Sequence, residues 1–436
     1  MDKIITSKRK NILVIAGAGC GKTYTIVKKV NYLINNLKEN PKKILCISFT
    51  NEAVNKLKKD INNKNVEVLT FHRLALKIMG KSKEILSEDM LIHIVLDSFS
   101  NNILLGLYKM NKESMCLLIA TFINLFKSNN YKLDIFYKMI NKANRNDKLL
   151  LKEIMKCFIC YESYLNKENA IDFNDMINIA IDSVKNTNLD YKYIIIDEYQ
   201  DTSYTKYLLV KKLQKKTNAK VFAVGDDFQS IYRFAGSDIK LFTKFRYYFP
   251  FSKIYKLNKT YRNCKELIKI AGKFIMKNPY QIRKWLNSDI SVSNPIIIVY
   301  YEDLNSAINN IIKEDMLDNI LILARNNNTL NSIKPKGIKY RKLTIHKSKG
   351  LEDDYVFVLD LLNTVNGFPN KYVDHRILKY VNDYKQYYPY EEERRLFYVA
   401  ITRCRKKVYL FTKENNESIF IKELKKIDRN IVVRKY

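Results

Sequence analysis

Residues 16–23 read Ala-Gly-Ala-Gly-Cys-Gly-Lys-Thr and lie between an apolar run and a helical pattern. Small residues let the backbone turn tightly, so that successive N–H groups face phosphate oxygens, and the start of a helix adds a positive dipole end. Lys22 has the reach for the β- and γ-phosphates of a nucleotide, and the Thr23 hydroxyl suits Mg²⁺. The pattern predicts a triphosphate-binding loop, with a purely structural Gly-rich turn as the alternative. Its residues are Ala16, Gly17, Ala18, Gly19, Cys20, Gly21, Lys22 and Thr23.

Two adjacent acids, Asp197 and Glu198, follow the apolar run 194–196. A buried parallel strand delivers such side chains to its carboxyl end, where ligands bind in open α/β sheets. Asp197 suits Mg²⁺, and Glu198 suits the positioning or deprotonation of an attacking water. An acidic helix N-cap would explain an isolated pair of this kind. The phosphate loop upstream favours a shared catalytic site instead.

Short β-rich runs alternate with longer helical patterns, which indicates parallel sheets with crossover helices. We predict a helix at about 22–37 and strands at 12–15, 44–49, 193–196 and 221–224, with strands continuing to about residue 257. A second set of strands is predicted at 295–301, 319–324, 355–359 and 408–411. Between them, residues 81–166 carry apolar residues at helical spacing without proline, so we predict an all-helical insertion. The basic stretch 425–436 is interpreted as a solvated end.

The chain is strongly basic: 77 Lys and Arg against 45 Asp and Glu give a formal net charge of +32. This excess predicts attraction to a polyanion, most simply nucleic acid, although an AT-rich genome would produce a similar bias. Charges interrupt every apolar run, so we expect no membrane span. Scattered cysteines and a start without a leader pattern favour a reducing, intracellular location.

Motifs along nearly the whole chain resemble, in order, those of the UvrD/Rep family of superfamily one DNA helicases. Besides the phosphate loop, they lie at 44–53, 69–74, 197–201, 224–232, 260–262, 344–352 and 391–405. The resemblance implies an α/β fold of two tandem RecA-like motor domains, each a parallel sheet flanked by helices. The first would comprise residues 1–80 and 167–258, interrupted by the helical insertion 81–166, and the second would comprise residues 259–436.

The resemblance also implies roles for residues on both sides of a cleft. Gln229 would sense the γ-phosphate, while Arg262 and Arg403 would reach across from the second domain, as an arginine finger in cis does. Closure of the cleft would then depend on the nucleotide state. The implied catalytic residues are Lys22, Asp197, Glu198, Gln229, Arg262 and Arg403, with Mg²⁺ held by Thr23 and Asp197. The ATP site would be completed by Tyr24, by Tyr261 stacking on adenine, by Gly350, and by Glu352 near the ribose.

Candidate DNA contacts follow from the same resemblance. Phe49, Tyr232 and Phe234 would be stacking platforms, because stacking of bases on aromatic rings tolerates any sequence. Core packing is the alternative for each ring. Phosphate contacts would come from Thr70, His72 and Thr344, with His346 in the same motif as Thr344.

Three features depart from the family pattern. The upstream glutamine that reads adenine in the family has no counterpart in residues 1–16. Only residues 326–343 separate Arg325 from Thr344, so we predict that the large insertion usual in the second domain is absent. Ala235 stands where the family usually has arginine, so one basic contact to DNA would be lost.

The expected function is that of an ATP- and Mg²⁺-dependent DNA helicase or translocase moving 3′ to 5′. Its partners would be single-stranded DNA, single/double-strand junctions and repair or replication proteins. Two alternatives stay open: a DNA-stimulated ATPase that remodels protein–DNA complexes without strand separation, and a non-catalytic DNA-binding assembly subunit. Phosphate and stacking contacts do not separate DNA from RNA. The expected location is the cytoplasm of a prokaryote or of a virus-infected cell, or the nucleus.

Overall fold

Two parallel β-sheets organise the chain, as seen in a computed structural model that describes residues 1–80, 83–371, 374–382 and 388–436. The strands are β1 Asn11–Ala16, β2 Ile44–Ser48, β3 Glu67–Thr70, β4 Glu84–Ile85, β5 Ala170–Ile171, β6 Tyr193–Ile196, β7 Lys220–Gly225, β8 Lys253–Leu257, β9 Ile296–Tyr300, β10 Asn319–Ala324, β11 Lys339–Thr344, β12 Asp353–Val358, β13 Cys404–Thr412 and β14 Val432–Lys435.

Helices cover both sheets and form a separate group in the first half of the chain. They are α1 Asp2–Ile5, α2 Lys22–Asn35, α3 Asn51–Ile61, α4 Phe71–Met79, α5 Glu88–Ser98, α6 Asn102–Tyr108, α7 Lys112–Ser128, α8 Leu133–Lys142, α9 Arg145–Lys167, α10 Phe173–Ser183, α11 Tyr204–Thr217, α12 Ile239–Thr243, α13 Phe245–Tyr248, α14 Lys265–Ile275, α15 Leu304–Glu314, α16 Asn327–Ser332, α17 Glu391–Ile401 and α18 Ile419–Ile427. No single helix of the described residues is long and apolar enough to cross a membrane, although the bent pair α5–α6 passes that test of length and composition together.

The first sheet has the strand order β3-β2-β6-β7-β1-β8, and all its pairs are parallel. Its central strands are apolar and buried on both faces, as a sheet covered by helices requires. Because β6, β7 and β1 are neighbours, their carboxyl ends meet at one edge. The loops that follow β1, β6 and β7 begin at residues 17, 197 and 226, respectively. These three loops therefore lie side by side.

The second sheet has the order β11-β10-β12-β13-β9-β14 and is again parallel throughout. The connection from β10 to β11 contains only the short helix α16. The predicted absence of a large insertion at this place is therefore confirmed, as is the prediction of two RecA-like sheets with a helical insertion in the first. The exact domain boundaries stay a prediction.

The helical insertion comprises α5–α9 around an aromatic core, in which the rings of Phe126 and Phe136 stack with centroids 4.1 Å apart. The all-helical prediction for residues 81–166 is wrong in one detail, because β4 pairs with β5 at its base. Residues 81 and 82 lie outside the described part of the chain. Buried Lys127 of α7 pairs with Glu162 of α9 inside the insertion, and its pairs with Asp172 and Asp175 connect the insertion to the start of α10.

A short segment of the second half, residues 374–382, packs on this insertion. Its apolar side chains Ile377, Leu378 and Val381 join the core of the helical group. Lys379 and Arg376 lie 2.8 and 3.1 Å from the buried carboxylate of Asp147 in α9. The insertion of the first half is thus tied to the second half of the chain, a contact that the sequence did not predict.

The end of the chain corrects another prediction. Residues 425–436 are not a solvated tail, because α18 packs in the core and β14 pairs with β9. No strand was predicted at β3, β11 or β14, and all three are edge strands. Edge strands are half-exposed and carry polar residues, so their apolar signal in the sequence is weak.

Candidate active site between the two sheets

The phosphate loop has the tight geometry that its small residues predict. Gly19 and Gly21 have φ values of +70° and +77°, which favour glycine. A Cβ on Gly19 would lie 2.5 Å from the side chains of Thr260 and Arg262, so this position also needs glycine for space. The carbonyl of Gly19 accepts a hydrogen bond from Tyr261 N at 2.9 Å. The loop therefore touches the start of the second half of the chain directly.

Lys22 lies at the first turn of α2, where helix N–H groups lack intrahelical acceptors and suit an anion. Its Nζ forms an ion pair with Oε2 of Glu198 at 2.8 Å. The structure thus brings the phosphate loop and the acidic pair together, as the sequence predicted.

The two acids of the pair have opposite electrostatic environments. Burial and the neighbouring charge of Glu198 raise the pKa of Asp197. Burial also opposes the ionisation of Glu198, but the charges of Lys22 and Lys349 outweigh it and lower the pKa of Glu198. Asp197, buried at the end of β6, and Thr23, in the first turn of α2, offer the hard oxygen ligands that Mg²⁺ prefers. These residues fit a Mg²⁺-nucleotide.

Gln229, after β7, contacts the second half of the chain through Arg403. Nη2 of Arg403 donates to Oε1 of Gln229 at 3.2 Å, and its Nε and Nη1 donate to the carbonyls of Val399 and Leu351. Burial and the nearby charge of Arg262 lower the pKa of Arg403 to about 9. Arg403 is thus held rigidly, with one donor already directed at the predicted γ-phosphate sensor.

Arg262 and Glu352 form the other side of the cleft. The guanidinium of Arg262 pairs with Glu352, which also pairs with Arg405 at 2.7 Å. Glu352, predicted near the ribose, thus holds two arginines. Gly350, with a φ of +88°, makes the turn before it. Tyr24 and Tyr261 are exposed, at 53% and 62% accessible, and each ring has a lysine ammonium near its face, Lys28 at 5.4 Å and Lys259 at 5.7 Å.

Two lysines complete the site and were not assigned a role from the sequence. Nζ of Lys349 pairs with the buried carboxylate of Asp201 at 2.5 Å and donates to the carbonyl of Gln229 at 2.7 Å. Lys349 lies within the motif at 344–352, so this motif was the sequence signal that could have identified it. Lys284 lies between Asp226 and Asp227, outside every recognised motif, so no sequence signal pointed to it.

Three of the predicted DNA-contact residues form one aromatic cluster. The hydroxyl of Tyr232 donates to the carbonyl of His346 at 3.0 Å, and the rings of Phe234 and His346 meet edge to face at 5.4 Å. Phe234 is 60% accessible, so it offers an open ring face. Tyr232 and Phe234 come from the first half of the chain and His346 from the second. The cluster therefore spans the cleft.

Phe49 and His72 lie in a second group on the first sheet. The ring of Phe49 packs on Phe71, with Nζ of Lys206 lying 4.9 Å from its centroid, while His72 packs on Phe173. Burial lowers the pKa of Lys206 to about 8. This lysine was not singled out from the sequence.

The two threonines predicted to bind phosphate have different surroundings. Thr70 is the N-cap of α4: its hydroxyl accepts from Arg73 N at 3.2 Å, and the residue is only 7% accessible. Its hydroxyl is therefore already engaged in a helix cap, which the sequence prediction did not foresee. Thr344 ends β11 and is half-buried, two residues before His346.

Comparison with known proteins gives a consistent result. The model of the UvrD/REP helicase N-terminal domain matches residues 1–250, and that of the UvrD-like helicase C-terminal domain matches residues 339–415. DNA helicase IV of Escherichia coli is 27% identical over 98% of this chain and 69% of that protein. ATP-dependent DNA helicase Rep of Buchnera aphidicola is 30% identical over 66% of this chain, and PcrA of Staphylococcus epidermidis is 28% identical over 67%. These matches span 45% of that Rep and 41% of that PcrA, less than half of either relative.

Proposed function

The chain belongs to the UvrD/Rep helicase family, and from this premise we propose that it is an ATP-driven motor that moves 3′ to 5′ along single-stranded DNA and separates strands. The direction comes from the family resemblance. Junctions of single- and double-stranded DNA, and proteins of repair or replication, are the proposed partners.

The observation that carries the proposal is the contact between Arg403 and Gln229 across the cleft. The phosphate loop and the acidic pair belong to the first sheet, whereas Arg262, Arg403 and Lys349 come from the second half of the chain. A site divided in this way can be complete only when the two halves are close together. Binding and hydrolysis of a nucleotide would therefore alter the separation of the two sheets, as a motor requires.

Each side chain has a proposed role in hydrolysis. Bound ATP with Mg²⁺ would supply the phosphoryl group that is transferred to water. Lys22 and the loop N–H groups would bind its phosphates, while Thr23 and Asp197 would hold the cation. Glu198, whose pKa is lowered, is ionised at neutral pH and would orient and deprotonate the water. Arg262 and Arg403 would neutralise charge on the phosphoryl oxygens as the bond to the leaving group breaks.

The proposed DNA path crosses the face that carries both aromatic groups. Phe234 and Tyr232 would stack on bases, with His346 as their support from the second half, and Phe49 would take a further base. Lys206 beside Phe49 adds a cation where a phosphate would pass. Because Gln229 and Tyr232 lie three residues apart, a shift of the loop after β7 would move both the γ-phosphate sensor and a DNA contact.

The short connection between β10 and β11 favours one alternative function, a DNA-stimulated ATPase that displaces proteins without separating strands. Duplexes with a 3′ or a 5′ single-stranded tail discriminate the two functions. We expect ATP-dependent strand separation on the 3′-tailed duplex and none in Arg403→Ala. Displacement of streptavidin from a biotinylated single strand, without separation of either duplex, would support the alternative. Separation of the 5′-tailed duplex alone would contradict the proposed direction.

A further inference from the structure

A fully buried lysine, Lys284, lies beside the cleft. Nζ of Lys284 is 2.5 Å from Oδ1 of Asp226 and 2.5 Å from Oδ1 of Asp227, and its side chain is 1% accessible. It also lies 3.8 Å from the ring centroid of Phe228. Burial of a lysine is costly unless it is paired, and the two carboxylates provide that compensation.

The segment that carries Lys284, residues 278–287, is fixed to three parts of the site. Gln281 Nε2 donates to the carbonyl of Asp227 at 3.1 Å, and Ile282 N donates to Oδ2 of the same residue at 2.8 Å. Leu286 occupies the space where a Cβ on Gly17 of the phosphate loop would lie. Asn278 donates to the carbonyl of Glu391, at the start of α17. The segment therefore lies between the two halves of the cleft.

A chain of hydrogen bonds leads from Lys284 to the arginine of the opposite half. Lys284 binds one carboxylate oxygen of Asp226, and the other oxygen accepts from Nε2 of Gln229 at 2.6 Å. Oε1 of Gln229 then accepts from Arg403 at 3.2 Å. If the amide of Gln229 flipped, its NH₂ group would face the guanidinium, and two donors would oppose each other. Asp226 prevents this flip as long as its own orientation is held.

We propose that Lys284 is a positioning residue for ATP hydrolysis, which holds Asp226 so that Gln229 keeps its amide oxygen directed at Arg403 while the cleft closes. The inference rests on the proposed function, since it needs a hydrolytic reaction to act on. It adds a residue outside the predicted nucleotide and DNA contacts. Without Lys284, Asp226 would face Asp227 as an uncompensated buried carboxylate, and its Oδ1 would keep the backbone N–H of Phe228 as a donor but lose the ammonium group.

The test compares Lys284→Met, Lys284→Arg and the charge-balanced double variant Lys284→Met/Asp227→Asn. The double variant removes one charge of each sign, so it keeps the net charge of the cluster and remains interpretable if Lys284→Met does not fold. Lys127→Met is the matched control, because Lys127 is also buried among carboxylates but lies in the helical insertion. Thermal unfolding and steady-state ATPase at saturating single-stranded DNA are measured for each.

We expect kcat to fall about 10- to 100-fold in Lys284→Met and in the double variant, with the KM for ATP nearly unchanged. Lys284→Arg should recover most of kcat. Lys127→Met should lose thermal stability but keep kcat. If the folded double variant keeps the wild-type kcat, Lys284 has only a structural role and the inference is wrong. If the wild-type protein shows no ATPase activity with DNA, the proposed function fails instead.

Discussion

Arg403 Nη2 and Gln229 Oε1 are 3.2 Å apart, and this hydrogen bond joins two side chains that belong to different sheets. Both residues are buried, so the bond is shielded from water and depends on the two sheets staying close. Gln229 lies in the turn that follows β7, while Arg403 immediately precedes β13. Any relative movement of the sheets must therefore stretch or break this hydrogen bond. The distance between Arg403 and Gln229 thus depends on whether the cleft is open or closed.

Replacement of Arg403 by lysine tests the chemical part of this relationship. Lysine keeps the charge, but its single nitrogen cannot replace the three guanidinium nitrogens that donate separately to Gln229, Val399 and Leu351. We expect kcat for ATP to fall about 100- to 1,000-fold, because transition-state charge would be poorly neutralised, while the Kd for ATP changes little. Single-turnover hydrolysis and nucleotide titration measure the two quantities. Arg429→Lys, on the exposed surface, is the control, and a Kd that rises as much as kcat falls would contradict the assignment.

Lys349 links the second half of the chain to both Asp201 and the backbone of Gln229. Lys349→Met should remove most of the stimulation of ATPase by single-stranded DNA. Without the hydrogen bond from Lys349 to the carbonyl of Gln229, the loop after β7 would no longer move together with the second sheet. The measurement is the ratio of rates with and without saturating DNA. Lys347→Met, exposed and two residues earlier, should keep the ratio. A variant at Lys349 that loses basal and stimulated rates in equal proportion would indicate a role in chemistry, not in coupling.

Phe234 offers the most accessible ring of the cluster that spans the cleft. Phe234→Ala should weaken binding of single-stranded DNA by about 1–3 kcal/mol, as expected for the loss of one stacked base. Phe234→Trp should bind at least as well as the wild type. Tyr247→Ala, a 79% accessible aromatic outside the proposed path, is the matched control. Fluorescence anisotropy at fixed salt measures the affinities, and equal losses at residues 234 and 247 would exclude a specific stacking role.

We expect two partly buried histidines, His72 and His346, to contribute to the loss of stability in acid. Burial, together with the charge of Lys206 for His72 and of Arg325 for His346, lowers both pKa values to about 4. The unfolded chain then binds more protons than the folded one below about pH 6.5, so stability falls as the pH is lowered towards 4. Between pH 7 and pH 5, each histidine should account for about 1–2 kcal/mol of the loss. Urea unfolding at both pH values measures this loss. Between pH 7 and pH 5, His72→Asn and His346→Asn should each lose less free energy of unfolding than the wild type does. His93→Asn, at an exposed position, should lose as much as the wild type.

Much of the site could be predicted because its residues lie in contiguous motifs at the ends of apolar strands. Lys22, Asp197, Glu198 and Gln229 are such cases, Arg403 lies in a motif between α17 and β13, and the structure brings all five to the same cleft. The predicted roles of Lys22, Asp197 and Glu198 follow from spacing and residue type, whereas those of Gln229 and Arg403 come from the family resemblance. The contacts that depend on tertiary structure could not be predicted in this way.

Lys284 and the packing of residues 374–382 on the helical insertion are examples of such contacts. Lys284 pairs with carboxylates 57 and 58 residues away, and Asp147 pairs with Lys379 at a separation of 232 residues. Neither lysine differs in local pattern from the many others in a Lys-rich chain. The edge strand β14 was missed for a different reason, because a half-exposed strand with two basic residues resembles a solvated tail.

The central claim is that hydrolysis of ATP is coupled to single-stranded DNA through the cleft, and the rate of ATP hydrolysis with and without that DNA tests it most directly. Wild-type protein is assayed beside Lys22→Ala and Arg403→Ala at saturating ATP and Mg²⁺. We expect single-stranded DNA to raise the wild-type rate at least about tenfold and both variants to be close to background, since each lacks one side of the divided site. A wild-type rate that ignores DNA, or a rate that persists in Lys22→Ala, would contradict the account.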